Sequence, residues 1–129
     1  LTVKSELETA MDATNKAMAA WIWMFTGFMG LFGFLPGLIG HLIHSNEFIN
    51  AHARNALNFW ITEIVFSVAL SISAAFISFV FEQNDVVFIR MALIIPMIFW
   101  HLFHCIKGAA QASKGFLYCP SFTYRFIKT

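Results

Sequence analysis

The chain has 129 residues, of which 59% are apolar and 12% charged, with a formal net charge of +1 and a mean hydropathy of +0.71. Soluble proteins carry about 25% charged residues, so a water-soluble core is excluded. The scattered Lys and Arg also exclude a basic groove that would neutralise a run of phosphates. What remains is an all-α integral membrane protein whose partners are the lipid bilayer and other membrane subunits, with no nucleic acid.

Residues 1–20 carry Glu6, Glu8 and Asp12 ahead of the first apolar run, the opposite of the basic start of a signal peptide, so the first span is expected to stay in the mature protein. Ser5-Glu6-Leu7-Glu8 has the form of a capping box and predicts a helix start. Val3, Leu7, Met11 and Met18 recur opposite Glu8, Asp12, Asn15 and Lys16. That narrow stripe predicts an amphipathic N-terminal helix lying on the membrane or a partner. A solvated lead-in to the first span is the plainer alternative.

Residues 21–129 are expected to form a transmembrane domain with three spans, 21–43, 57–81 and 86–106, and a short cytoplasmic C-terminal tail. Each run exceeds the roughly 20 residues that a helix needs to cross about 30 Å of hydrocarbon. In the first, Gly27, Gly30, Gly33, Gly37 and Gly40 share one helical face, with Gly33 and Gly37 in GxxxG spacing. Close packing on another helix is preferred to pore lining for such a face. Pro36 predicts a kink or break over residues 34–37, tolerated in lipid only where protein or water satisfies the freed backbone groups. Ser67, Ser71, Ala74 or Ala75, and Ser78 give the second span a small stripe, expected to dock span one. Glu63, about two turns in, should find a partner or snorkel. The third span opens near Arg90, contains Pro96 and ends in Trp100-His101-Leu102-Phe103-His104-Cys105.

Three crossings put Arg54, Lys107, Lys114, Arg125 and Lys128 on one side and Lys4, Lys16 and Arg90 on the other. The richer side, with the loop 44–56 and the C-terminus, is assigned to the cytoplasm of a bacterial inner membrane. Trp21 and Trp23 then belt the outer interface, and Trp60 and Trp100 the inner one.

The stretch from His52 through Ala53, Arg54, Asn55, Ala56, Leu57 and Asn58 to Phe59 follows Glu47-Phe48 and opens a span. It resembles the most recognisable segment of a family of small bacterial membrane proteins with a domain of unknown function, related to the twenty-kilodalton component of the chloroplast inner-envelope protein translocon. Lys107, Ala109, Ala110, Gly115, Tyr118, Pro120 and the closing Arg125-Phe126-Ile127-Lys128 look like that family's ending. The resemblance covers about residues 28–128 and implies a compact bundle of three or four helices, working beside other membrane complexes and without an established catalytic residue.

All five His fall on the predicted cytoplasmic side. His41 with His44, and His101 with His104, have the i,i+3 spacing that puts two imidazoles on one helical face, and Glu63 lies at similar depth, a set able to ligate a transition metal or haem. Interfacial hydrogen bonding is the favoured reading of these histidines, and no cofactor is expected. For His52 a switch or docking role is weighed against capping with Asn50 or Asn55, and capping is favoured. Cys105 and Cys119 are expected as free thiols. No nucleophile and base pair, phosphate loop or dinucleotide fingerprint is present, so the chain is read as a non-enzyme. The function expected is that of a non-catalytic accessory or assembly subunit of a larger membrane complex. The alternatives are a translocation or transport element acting as an oligomer, and a metal- or haem-binding protein.

Overall fold

A computed structural model describes residues 3–44, 46–81 and 86–127, with side chains from residue 11 onward except that of residue 86. The elements are α1 Val3–Phe28, a 3-10 turn Gly30–Phe32, α2 Phe34–Ile43, α3 Glu47–Val80 and α4 Val86–Ser113. The fold is all-α, with no strand among the described residues. α1 runs through positions 20 and 21 without a break. It is already helical at Ser5, and the side chains of Ser5 and Glu8, on which the capping box depends, lie outside the described residues.

The expected first span, 21–43, is not one helix. α1 stops at Phe28, and Gly30 takes φ +57°, the left-handed conformation open to glycine at little cost. The break therefore comes before Pro36 and has a different cause. Pro36 is the third residue of α2, in the first turn, where a missing N–H forfeits no helical bond. With that run divided, the described residues contain two helices long and apolar enough to cross a membrane, α3 and α4, where three were expected.

α3 has 34 residues and spans about 51 Å, well beyond the roughly 30 Å of a hydrocarbon core. α4 lies antiparallel to it, so that Glu63 meets His101 and Ser67 meets Met97. α1 is antiparallel to α4: Gly27 abuts Cys105, Trp23 abuts Gly108 and Lys16 abuts Gly115. α2 turns back along α3, with Gly33 against Trp60, Gly37 against Leu57 and Gly40 against Ala53. The α1–α2 hairpin thus climbs only to the level of Trp60 and Glu63, midway along α3. The molecule has a four-helix base and a two-helix shaft.

The buried cluster lies wholly in the base: Ala19, Ile22 and Trp23 of α1, Ile49, Ala53, Ala56 and Phe59 of α3, and Cys105, Ala109 and Ala112 of α4. So many alanines let the helix axes approach closely. Along the shaft, Ala74 and Ser78 are buried on α3, while Phe79 is 82% and Phe88 79% exposed, a surface suited to acyl chains and not to water. The serine stripe turns mainly to α4, with Ser67 alone also bordering a groove lined by Gly27, Gly30 and Leu31 of span one. Ser67 contacts Met97, and Ser71 and Ala74 border the same groove as Arg90 and Leu93, because the α1–α2 hairpin ends below them. The two tryptophan belts also need correcting: Trp23 is fully buried, and Trp60 reaches the Gly30 carbonyl at the hairpin turn, so the two sit in one half of the molecule.

Candidate functional site

The base is built around an indole. Gly108 leaves room for Trp23: a Cβ there would stand 2.4 Å from Trp23 Cδ2. Trp23 Nε1 donates to His52 Nδ1 at 2.9 Å, and His52 Nε2 lies 3.0 Å from the Phe116 carbonyl oxygen. An indole N–H only donates and a carbonyl only accepts, so His52 is the neutral tautomer protonated on Nε2. His52 is therefore a buried cross-brace and not the expected cap. Asn46 caps α3, accepting from the N–H groups of Phe48 and Ile49. Asn50 closes α2 by donating to the His41 and His44 carbonyls at 2.9 and 3.2 Å, and Arg54 donates to its Oδ1. Ala56 and Leu57 are buried on the same helix, Leu57 against Gly37.

Beyond His52, α3 offers a polar stripe that seats the C-terminal segment. Asn55 Nδ2 donates to the Tyr118 carbonyl at 2.9 Å, and Thr62 Oγ1 accepts from the Tyr124 N–H at 3.0 Å. Asn58 both donates to the Ile127 carbonyl, at 3.1 Å, and accepts from its N–H, at 2.8 Å. Pro120 is buried under this segment. One helix face thus does for an irregular segment what a neighbouring strand does in a sheet. Asn58→Ala is expected to free residues 121–127 and raise their rate of limited proteolysis several-fold in detergent, at a stability cost of about 1 to 3 kcal/mol. An unchanged cleavage rate would show that the stripe does not hold the segment.

Glu63 and His101 meet midway along the α3–α4 pair, with side chains 14% and 18% exposed. The other ring nitrogen, Nε2, lies 3.2 Å from the Thr26 carbonyl oxygen and 3.8 Å from Cys105 Sγ. With Glu63 ionised, carboxylate and carbonyl are both acceptors, and the ring that satisfies both is the imidazolium. Thr26 is in the last turn of α1, whose carbonyls have no helical donors and which has no basic residue of its own. His101 supplies that charge and donor from α4. Trp60 Nε1 donates to the Gly30 carbonyl at 3.2 Å, so the helix break is satisfied by protein groups, as lipid requires. Lower on α4, His104 Nδ1 contacts the Tyr118 hydroxyl. Burial above all raises the Tyr118 phenol above its usual 10.0, which keeps its proton available for His104.

The five histidines do not gather. His101 alone reaches Glu63, His104 turns to Tyr118 and Trp100, and His41 pairs with Asn50 Oδ1 at 2.9 Å. Among the described residues no three His, Cys, Asp or Glu side chains converge to hold a metal ion. The five glycines do not share one face: Gly27 meets Cys105 of α4, no described atom lies within 4 Å of a Cβ at Gly30, and Gly33, Gly37 and Gly40 pack on α3, where a Cβ at Gly37 would stand 2.9 Å from the Ala53 carbonyl oxygen and one at Gly40 3.0 Å from Ala53 Cβ. Cys105 is buried and Cys119 exposed, and both are free thiols. The residues that sequence reasoning passed over are Trp23 as a core residue, Thr26 and Thr62. Thr62 has a signal: Asn55, Asn58 and Thr62 recur at helical spacing on one face.

A family model described as the Magnetosome magnetite crystal formation protein family (MamF/MmsF) matches residues 12–127, which take in the hairpin, the shaft and the tail-binding stripe. The chain belongs to that family. Membership in the MamF/MmsF family overturns the expected kinship with the translocon-related proteins of unknown function. The segment from His52 to Phe59 and the ending with Tyr118 and Pro120, on which that expectation rested, lie within the MamF/MmsF match. As a MamF/MmsF protein with two membrane-length apolar helices, the chain is a magnetosome-associated membrane protein of a crystal-formation family. No curated protein and no solved structure matches it.

Proposed function

We propose that this protein is a non-catalytic accessory subunit of the magnetosome membrane, anchored by α3 and α4 and acting in magnetite crystal formation alongside other magnetosome membrane proteins. The observation that carries this reading is the family match over residues 12–127, joined to an apolar shaft whose outer face no other described residue covers. Several polar groups of the base are committed to holding the fold: His52 to Trp23, Asn58 to Ile127, His101 to Glu63. Native mass spectrometry of the protein extracted from magnetosome membranes in mild detergent tests the accessory reading. A stoichiometric assembly with other magnetosome membrane proteins is expected, and a bare monomer would overturn the accessory reading.

The proposed topology has two spans, with α1 and α2 entering and leaving on the side of the base. Lys16, Arg54, Lys107, Lys114 and Arg125 then share that side, with Arg90 near the tip of the shaft, a bias that supports a cytoplasmic base. Membrane-impermeant maleimide labelling in sealed vesicles is expected to modify Cys119, and Met11→Cys in a Cys119→Ser background, from the same side, and Val87→Cys from the other. Met11→Cys reacting from the side opposite Cys119 would restore three crossings.

A further inference from the structure

One cavity of about 460 Å³ lies between α3, α4 and the C-terminal segment, in the size range of small-molecule sites. Its walls are aromatic: Phe59, Phe66, Trp100 and Phe122 all line it. Two of the lining residues, Glu63 and Thr123, have buried polar atoms with no hydrogen-bond partner, Glu63 Oε1 and Thr123 Oγ1. Unpaired buried polar atoms are costly and uncommon in a native structure, and two beside one apolar cavity mark where a ligand's polar groups belong. Thr62, also in the wall, is already committed, donating to the Asn58 carbonyl and accepting from Tyr124.

The charge balance narrows the ligand. Glu63 is paired with the His101 imidazolium, so a cationic ligand would leave one positive charge in excess at a low-dielectric site. A carboxylate oxygen accepts and never donates, so the ligand must bring a neutral donor, and a hydroxyl that donates to Glu63 Oε1 while accepting from Thr123 Oγ1 serves both orphan atoms. The aromatic walls favour a flat ring behind that hydroxyl. Entry is from the membrane side, because the rim residues Phe66 and Trp100 are 57% and 43% exposed. Phe122, 89% exposed, sits at φ 66° with its ring 6.4 Å from that of Trp100. A phenylalanine in the left-handed region is strained by its Cβ, a strain of the kind found where a ligand is clamped.

We propose that this cavity binds the hydroxyl-bearing aromatic headgroup of a membrane-borne lipid, a phenol or quinol ring, with the hydroxyl donating to Glu63 Oε1 and accepting from Thr123 Oγ1. The test uses the full chain in phosphatidylcholine nanodiscs, titrated with 4-nonylphenol and, separately, with its methyl ether, which has the same apolar body and no donor. Tryptophan fluorescence is the readout, with empty nanodiscs and Trp100→Phe protein correcting for partition into lipid. The phenol is expected to saturate at one per protein and to bind at least about tenfold more tightly than the ether, the worth of a hydrogen bond to a charged group. Thr123→Val, at the rim and outside the ion pair, is expected to weaken the phenol several-fold and leave the ether unchanged. Equal affinity for phenol and ether, or uptake that never saturates, would overturn the proposal and leave the cavity as a place for acyl chains.

Discussion

Trp23→Ala is expected to be the most destabilising single truncation in the base, costing about 3 to 5 kcal/mol in reversible detergent unfolding. The side chain is fully buried, it packs on Gly108, and its removal opens a cavity that helices held together by Ala and Gly contacts cannot close. It also leaves His52 Nδ1 without its donor. Phe25→Ala on the same helix serves as the control, because Phe25 is 48% exposed and its loss exchanges ring–lipid contacts for smaller ones. A cost below about 1 kcal/mol for Trp23→Ala, the range of ordinary surface changes, would show that the base is not built on this indole.

The second large effect is expected at the Glu63–His101 pair. Replacing either alone by Leu leaves an uncompensated buried charge, at about 3 to 5 kcal/mol. Replacing both removes the charges together, so the double variant is expected to lose much less than the sum, the difference being the coupling read from a double-mutant cycle. His101→Leu should lose more than Glu63→Leu, because His101 also serves the orphan Thr26 carbonyl at the end of α1. Additive losses would mean that the two side chains do not act as a pair.

The helical class and the apolar character of α3 and α4 are legible in the sequence because each is a continuous run of membrane length. The break in residues 21–43 is harder to place. Both Gly30 and Pro36 can end a helix, and the sequence does not say that Pro36 falls in a first turn, where it does no harm, while Gly30 takes a positive φ. Glu63 is rightly expected to find a partner, and His101 is visible as a polar group near the end of α4. Their meeting depends on the register of α3 against α4, which hydropathy leaves open. His52 is visible as unusual, and its bond to Trp23 is not, because Trp23 looks like an interfacial belt residue until α1 is known to end at Phe28. The histidine pairs mislead for a related reason. Spacing of i,i+3 puts two side chains on one face of their own helix, but His101 and His104 face different neighbours once α1 and the C-terminal segment pack against that face.

The halves of the molecule differ in girth. The base carries four helices and the C-terminal segment, and the shaft only two helices, so in the proposed two-span topology the bilayer gives up more lateral area in the leaflet beside the base than in the other. Copies gathered in one patch of membrane act as wedges, and the relaxed shape of such a patch is curved, with the bases on the convex face.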